Sequence, residues 1–266
     1  MYRSEKINDY TYKILDSYDE AMFLIIGQKK ALLIDSGMEK ENLLTYILQL
    51  TKCPIDLALS HGHIDHIGRS GDFENVYMNL LDKDVYLSHM EVNEGHFSNV
   101  GLCFQNIEKI KAIPEYFDLG GVMIDVLPLG GHTPGSVIFV DQDQKTIYTG
   151  DAIGSGCGCW MQLDESLDIH TYQRHMQDVL VRLEKMNVDD HWLFYGGHDQ
   201  QEYQSKVSDY NRLDIQLLKD MIKLCQNLID HQIVYEKSKV LMMSHQPYYV
   251  AYHKAEMIVT KEKVDV

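Results

Sequence analysis

Four residues able to hold a metal ion fall within the hexapeptide His61-Gly62-His63-Ile64-Asp65-His66. Imidazole and carboxylate without thiolate make a donor set that suits zinc, and also iron or manganese. Alternate residues of an extended loop point the same way, so His61 and His63 can address one point in space. Asp65 and His66 can then turn towards a second point. One ion with two ligands from each pair is too crowded for so short a loop, so the spacing points to two ions side by side. The competing explanation is a polar turn with chance histidines. The density of ligand types directly behind an apolar run weighs against it.

Three residues downstream complete a ligand set. His132 lies in Gly130-Gly131-His132-Thr133-Pro134-Gly135, Asp151 in Thr149-Gly150-Asp151, and His198 in Tyr195-Gly196-Gly197-His198. Each stands where an apolar, strand-like run gives way to glycine, which permits sharp turns and close approach. The H-x-H-x-D-H pattern, followed by these three residues in this order, resembles the metallo-β-lactamase-fold superfamily of metallohydrolases over roughly residues 20 to 200.

The resemblance implies a mixed α/β fold, the four-layer αβ/βα sandwich, as a single domain over residues 1–266. Helices and a hairpin at about 200–266 would complete it. It also implies that His61, His63 and His132 hold one divalent metal ion, that Asp65, His66 and His198 hold another, and that Asp151 bridges them. Zinc leads the candidates, with iron or manganese as the others. Two ions about 3.5–4 Å apart can share a hydroxide whose pKa is lowered towards ~7. That nucleophile would attack a small carboxylic ester, thioester or lactone, with Asp65 orienting it or handling its proton. Phosphodiester hydrolysis and iron-dependent redox chemistry are the alternatives on the same fold, and a noncatalytic binding protein ranks behind them. Asp151 and His66 resemble the glyoxalase-II and lactonase branches more than the β-lactamases, where a cysteine commonly holds the second metal. The flavodiiron branch usually has a glutamate where His63 stands. By the same resemblance Asp35 supports the site from behind the ligands, capping a turn being its other reading.

Elements must position these residues. Ala21–Gly27 and Lys30–Asp35 read as a hairpin across Gln28-Lys29. Residues 40 to 51 have helical spacing that stops before Pro54, and Ile55–Leu59 is the buried strand leading to His61. Residues 122–127, 136–140 and 146–149 return to β character. Residues 168–187 and Ile215–Ile229 are the best helices, and Val250–Tyr252 with Met257–Thr260 forms a terminal hairpin. Residues 82–117 are harder: Val85–Leu87 reads as helical or extended, Phe104–Ile113 looks amphipathic, and the region reads as an insertion near the site mouth or as ordinary packing. The loop after Asp151 (residues 153–161) offers Trp160 and Met161 as pocket lining. Tyr195 either reaches the substrate's oxyanion or packs in the core. His89, His96, His170, His175, His191, His231, His245 and His253 receive the default structural or solvated role.

The 266-residue chain is 45% hydrophobic and carries a formal net charge of -16. That acidity argues against holding nucleic acid through its phosphates, solubility alone being its other reading; a small-molecule substrate is the expected partner. Without an apolar leader or spanning run, a cytoplasmic protein with no membrane association is expected. Five scattered cysteines (Cys53, Cys103, Cys157, Cys159 and Cys225) read as reduced thiols rather than a disulfide framework. Cys157 and Cys159 stand outside a ligand set that leaves them no vacancy.

Overall fold

Apolar side chains on alternating strand positions build a seven-stranded sheet from the N-terminal part of the chain. Its strands, in spatial order, are β1 (Arg3–Lys6), β2 (Thr11–Leu15), β3 (Ala21–Ile26), β4 (Ala31–Ile34), β5 (Ile55–Ala58), β6 (Asn75–Met78) and β7 (Lys111–Ala112). Ile14, Met22, Leu24, Leu33, Leu57 and Val76 pack in one core with Leu43 and Ile47 of helix α1 (Leu43–Ile47). Strands β1 to β4 run antiparallel, whereas β4 to β7 run parallel. Parallel neighbours need a crossover, and α1 supplies it between β4 and β5. Asn42 starts α1 by accepting the Thr45 N–H at 2.8 Å.

The computed structural model that gives this architecture describes residues 1–92, 100–154, 158–199, 213–238 and 246–265. The chain clusters into two units, Met1–Val126 with Phe139–Gln144, and Leu127–Ile138 with Lys145–Val266. Among the described residues the strands form sheets of seven, five and four.

The first unit also contains α2 (Ile64–Ile67) and α3 (Lys83–Val92), and a hairpin pairing β8 (Tyr116–Asp118) with the start of β9 (Met123–Pro128). Val85–Leu87 is thus helical, and Tyr86 is wholly buried. Phe104–Ile113 is not a helix, despite its spacing. Asn106 caps a single 3-10 turn at Ile107–Lys109, and Lys111–Ala112 then joins β6 as a strand. The Gln105 backbone is engaged by side chains: its N–H donates to Ser70 Oγ at 3.1 Å and its carbonyl accepts from Tyr86 Oη at 2.8 Å. Those bonds compete with a helical ladder, while Phe104, Ile107 and Ile110 still pack on the core. The middle of the expected insertion, residues 93–99 with His96, lies outside the described residues, as do Cys157 and His245.

After β10 (Val137–Asp141) come β11 (Thr146–Gly150), β12 (Cys159–Trp160), α4 (Ile169–Lys185), β13 (Leu193–Gly196), α5 (Ile215–Ile229), β14 (Glu236–Lys237), β15 (Tyr248–Tyr252) and β16 (Ala255–Val259). In the second unit β11 and β13 pair in parallel, so Asp151 and His198 both follow carboxyl ends of neighbouring strands. Asp168 and Asp214 cap α4 and α5 by accepting the N–H groups of Thr171 and Leu217, each at 2.8 Å. Tyr172, Met176, Val179 and Leu183 form the buried stripe of α4. The four-stranded sheet runs β12-β16-β15-β14, with β12 parallel to β16. No helix among the described residues is long and apolar enough to cross a membrane.

Candidate metal centre

In open α/β sheets, ligands gather at the carboxyl ends of parallel strands, and the first unit places its ligand-type residues there. Asp35 follows β4 and Ser60-His61 follows β5, and the register pairs Ile34 with Ala58. His63 then starts the one-turn helix α2, which carries Asp65 and His66. His61, His63 and His66 are 1%, 5% and 1% exposed. The His61 ring centroid lies 4.6 Å from that of His63 and 4.1 Å from that of His66. Three histidines this close and this buried gain nothing from hydration, so their arrangement needs another cause.

The hydrogen bonds behind the rings settle which nitrogen faces the cluster. Ser60 Oγ–H donates to Asp35 Oδ2 at 2.7 Å, and the Ser60 N–H donates to Asp35 Oδ1 at 2.7 Å. Asp35 Oδ2 also lies 2.9 Å from His66 Nδ1. A carboxylate only accepts, so His66 carries its proton on Nδ1. His61 Nδ1 sits 3.0 Å from Ser60 Oγ, whose one proton already goes to Asp35. His61 therefore donates from Nδ1 too. Both rings present the Nε2 lone pair, the form in which imidazole binds a metal while its other nitrogen is anchored from behind. Asp35 thus orients two histidines, the supporting role implied by the resemblance. Asp35 itself has φ of 60°, a left-handed backbone that Asp tolerates better than most residues.

In the second unit His132 repeats the pattern. Its Nδ1 lies 2.8 Å from the Trp160 carbonyl, which can only accept, so Nε2 again carries the lone pair. Asp151 Oδ2 lies 3.6 Å from His132 Nε2 and 3.2 Å from His198 Nε2. In the first unit His66 Nε2 is 3.7 Å from Asp65 Oδ2. Two donors bound at about 2.0–2.1 Å to a tetrahedral ion sit roughly 3.4 Å apart. The donor types and separations within each unit therefore fit divalent cations. In the second unit one carboxylate oxygen lies beside two imidazoles.

Packing holds this geometry. A Cβ on Gly131, next to His132, would lie 2.0 Å from Tyr172 Cδ2. Tyr172 cannot swing away, because it is wholly buried and its hydroxyl donates to the Ala152 carbonyl at 2.6 Å. Gly131→Ala is expected to cost about 1–3 kcal/mol through overpacking. The measurement is the urea midpoint at unchanged m-value; a midpoint equal to that of the parent would show that the loop relaxes freely.

Other residues near the ligands went unread in the sequence. Asp82, buried, accepts the Gly62 N–H at 2.9 Å and fixes the turn between His61 and His63. The His89 ring of α3 lies 4.5 Å from that of His63, tilted by 32°, and its Nδ1 accepts the Ile64 N–H at 3.2 Å, so it belongs beside the site rather than in the default class. Helical spacing from Asp82 to Tyr86 and His89 was the available signal, since it puts all three on one side of a helix. His175 keeps a structural role, with Nδ1 2.8 Å from the Gly130 carbonyl, and His170, His191, His231 and His253 are exposed.

Of the expected pocket residues, Trp160 is partly exposed, whereas Met161 is fully buried with its N–H on the Ile258 carbonyl. Tyr195 stacks on Tyr148 with ring centroids 6.2 Å apart. Cys159 is fully buried, and burial pushes its thiol up to about 12. It is a packed thiol rather than a thiolate.

The sequence signature of the metallo-β-lactamase superfamily covers residues 19–198. A hydroxyacylglutathione hydrolase (GloC) of Haemophilus influenzae is 30% identical over 136 residues, 48% of this chain. The chain spans 64% of that relative, under two thirds of its length. A metallo-β-lactamase from Pontibacter korlensis superposes with a TM-score of 0.57 at 20% identity, covering 85% of this chain and all of the other. A protein solved in a di-iron-bound form gives 0.52 at 24% identity, over 69% of this chain and 89% of its own. With the signature running from just before β3 through the last histidine of the pattern, and with the fold shared, the chain belongs to the metallo-β-lactamase superfamily.

Proposed function

We propose that the two ligand sets serve one dinuclear centre within a single domain, and that the protein hydrolyses a small carboxylic ester, thioester or lactone. The observation that carries this reading is Asp151 Oδ2, placed 3.2 and 3.6 Å from the Nε2 atoms of His198 and His132. His61, His63 and His132 would hold one ion, and Asp65, His66 and His198 the other, with Asp151 between them. Zinc, iron and manganese all suit the donors, and iron is what the di-iron-bound structural neighbour holds. When bound, such ions supply Lewis acidity and a lowered pKa for water.

The chain's own residues do the rest. Asp35 and Ser60 lock the imidazole tautomers, so the site is organised before a ligand arrives. Asp65 has a side chain 24% exposed beside buried histidines, which suits it to orienting a water at the mouth and holding its proton. Trp160 offers partly exposed apolar surface for the acyl group. The relative named a hydroxyacylglutathione hydrolase supports the acyl class over phosphodiesters.

The test is metal analysis of protein purified without added metal, followed by thioesters, lactones, β-lactams and bis-p-nitrophenyl phosphate. Turnover of the first two groups, lost to a chelator and restored by metal, is the expected result. Oxygen consumption by an iron-loaded sample without hydrolysis would move the assignment to redox chemistry. The net charge of -16 further predicts no salt-sensitive RNA or DNA binding; submicromolar RNA binding that collapses with added salt would overturn that expectation.

A further inference from the structure

We infer that Gln162 and the Trp160 indole form a subsite for a secondary carboxamide, so that preferred substrates carry a CO–NH group beside the scissile acyl bond; the substrate part of this inference rests on the acyl-hydrolase reading above. Gln162 is 2% exposed. Its Oε1 and its Nε2 are both buried without a hydrogen-bond partner, and so is Nε1 of Trp160. Among the described residues no other side chain leaves two such atoms. Glutamine is seldom buried, and every unmet polar atom in the interior is destabilising. A methionine or leucine of similar bulk would fill the space without that cost.

The local backbone puts these groups together. Trp160 ends β12 opposite Ile258 of β16, and the Met161 N–H continues the pairing on the Ile258 carbonyl at 2.8 Å. Side chains alternate along extended chain. Cys159 and Met161, both fully buried, therefore leave one face, and Trp160 and Gln162 leave the other. Polar groups nearby in the chain are bonded elsewhere. The Trp160 carbonyl accepts from His132 Nδ1 at 2.8 Å, and the Ser166 hydroxyl donates to the His132 carbonyl at 2.8 Å. Lys263 Nζ donates to the Asp164 carbonyl at 3.0 Å and to that of Ser166. The subsite thus adjoins the carbonyl that fixes the His132 tautomer.

The three atoms define the ligand. The indole N–H and the Gln162 amide N–H call for a carbonyl oxygen, and Gln162 Oε1 calls for an N–H. A secondary carboxamide supplies both. A carboxylate offers acceptors only and would set an anion against Oε1, while an ester lacks the N–H. A site built to bond an N–H rejects the analogue without it, because its own buried acceptor is then unpaired. Trp160 is partly exposed, so its ring is the part that moves when a ligand enters.

The test compares the S-ethyl thioester of N-acetylglycine with its acetoxyacetyl counterpart, in which oxygen replaces the N–H. Metal-loaded full-length wild type, Gln162→Met and Trp160→Phe are assayed on both. Intrinsic reactivity cancels when the amide-to-ester ratio of kcat/KM is compared between proteins. That ratio is expected to fall by about tenfold or more in Gln162→Met. Trp160→Phe should lower both values, since both thioesters carry the carbonyl. Binding is read separately on metal-free protein with N-butylacetamide, and with butyl acetate as its ester control. Wild-type tryptophan emission should change saturably with the amide, and the change should be absent in Trp160→Phe and weakened in Gln162→Met. Metal-free Gln162→Met should melt at or above the wild-type midpoint, because no bond within the protein is lost. An unchanged ratio would overturn the inference, and a lower midpoint beside it would assign Gln162 to packing alone. Saturable, Gln162-dependent amide binding with neither thioester turned over would overturn the acyl-hydrolase reading and leave the carboxamide subsite standing.

Discussion

Asp151→Ala is expected to fold, to keep one metal ion more tightly than the other, and to lose at least ~10²-fold in turnover, the low end for removing positioned electrostatic stabilisation. The side chain sits where one oxygen approaches His132 Nε2 at 3.6 Å and His198 Nε2 at 3.2 Å. Removing it takes away the one carboxylate that, among the described residues, lies beside both imidazoles, with no other anion there to offset the charge of a bound cation. The backbone supports needed for folding remain: the Ala152 N–H still donates to the Thr149 carbonyl at 3.1 Å, and the Gly154 N–H to that of residue 151 at 3.2 Å. The two quantities to measure are turnover per folded molecule and bound metal per chain. If Asp151 only ends a strand, the loss is a stability change of about 0.5–3 kcal/mol with both quantities near native, and the bridging assignment falls.

Asp35→Ala is expected to weaken both metal binding and the fold, although Asp35 is not itself a proposed ligand. Three donors end on its carboxylate: the Ser60 N–H, the Ser60 hydroxyl and His66 Nδ1. Each buried donor orphaned by the change costs on the order of 1–3 kcal/mol. The tautomers of His66 and, through Ser60, His61 are then no longer fixed, which in metal sites typically lowers affinity 10–100-fold. Asp35→Asn separates the two effects. Asn tolerates the left-handed backbone at this position, so the fold should largely survive while metal affinity still drops at least tenfold. Native affinity in Asp35→Asn, together with a stability loss in Asp35→Ala, would reduce Asp35 to a turn cap.

The ligand pattern was legible because its spacing is local: H-x-H-x-D-H lies in one loop, and each later residue follows an apolar run that can only be a buried strand. The helices at 168–187 and Ile215–Ile229 were legible for the same reason, and the latter begins and ends as expected. What escaped notice depends on contacts between distant segments. Asp82 looks like an ordinary polar residue until the fold brings its carboxylate to the Gly62 N–H of the histidine loop. For His89 the one signal was its helical spacing from Tyr86, which an ordinary packed helix shows equally. Phe104–Ile113 misled because apolar residues three apart satisfy a helix and a capped turn equally well. Ser70 and Tyr86 decide between them by binding the Gln105 backbone, and neither is near in sequence.

The superfamily signature ends at His198, yet the second unit ties one of the family's histidines to chain far beyond that point. Trp160 pairs with Ile258 of β16, the Met161 N–H binds the Ile258 carbonyl at 2.8 Å, and β15 backs β16 over five residue pairs. The Trp160 carbonyl that fixes the His132 tautomer is thus held in place by the C-terminal hairpin. A protein trimmed to the shared signature would retain every residue of the ligand motif and still lose the alignment of His132. Transplanting the motif alone into another scaffold would fail for the same reason. The C-terminal hairpin thereby acts as a remote tether for that imidazole.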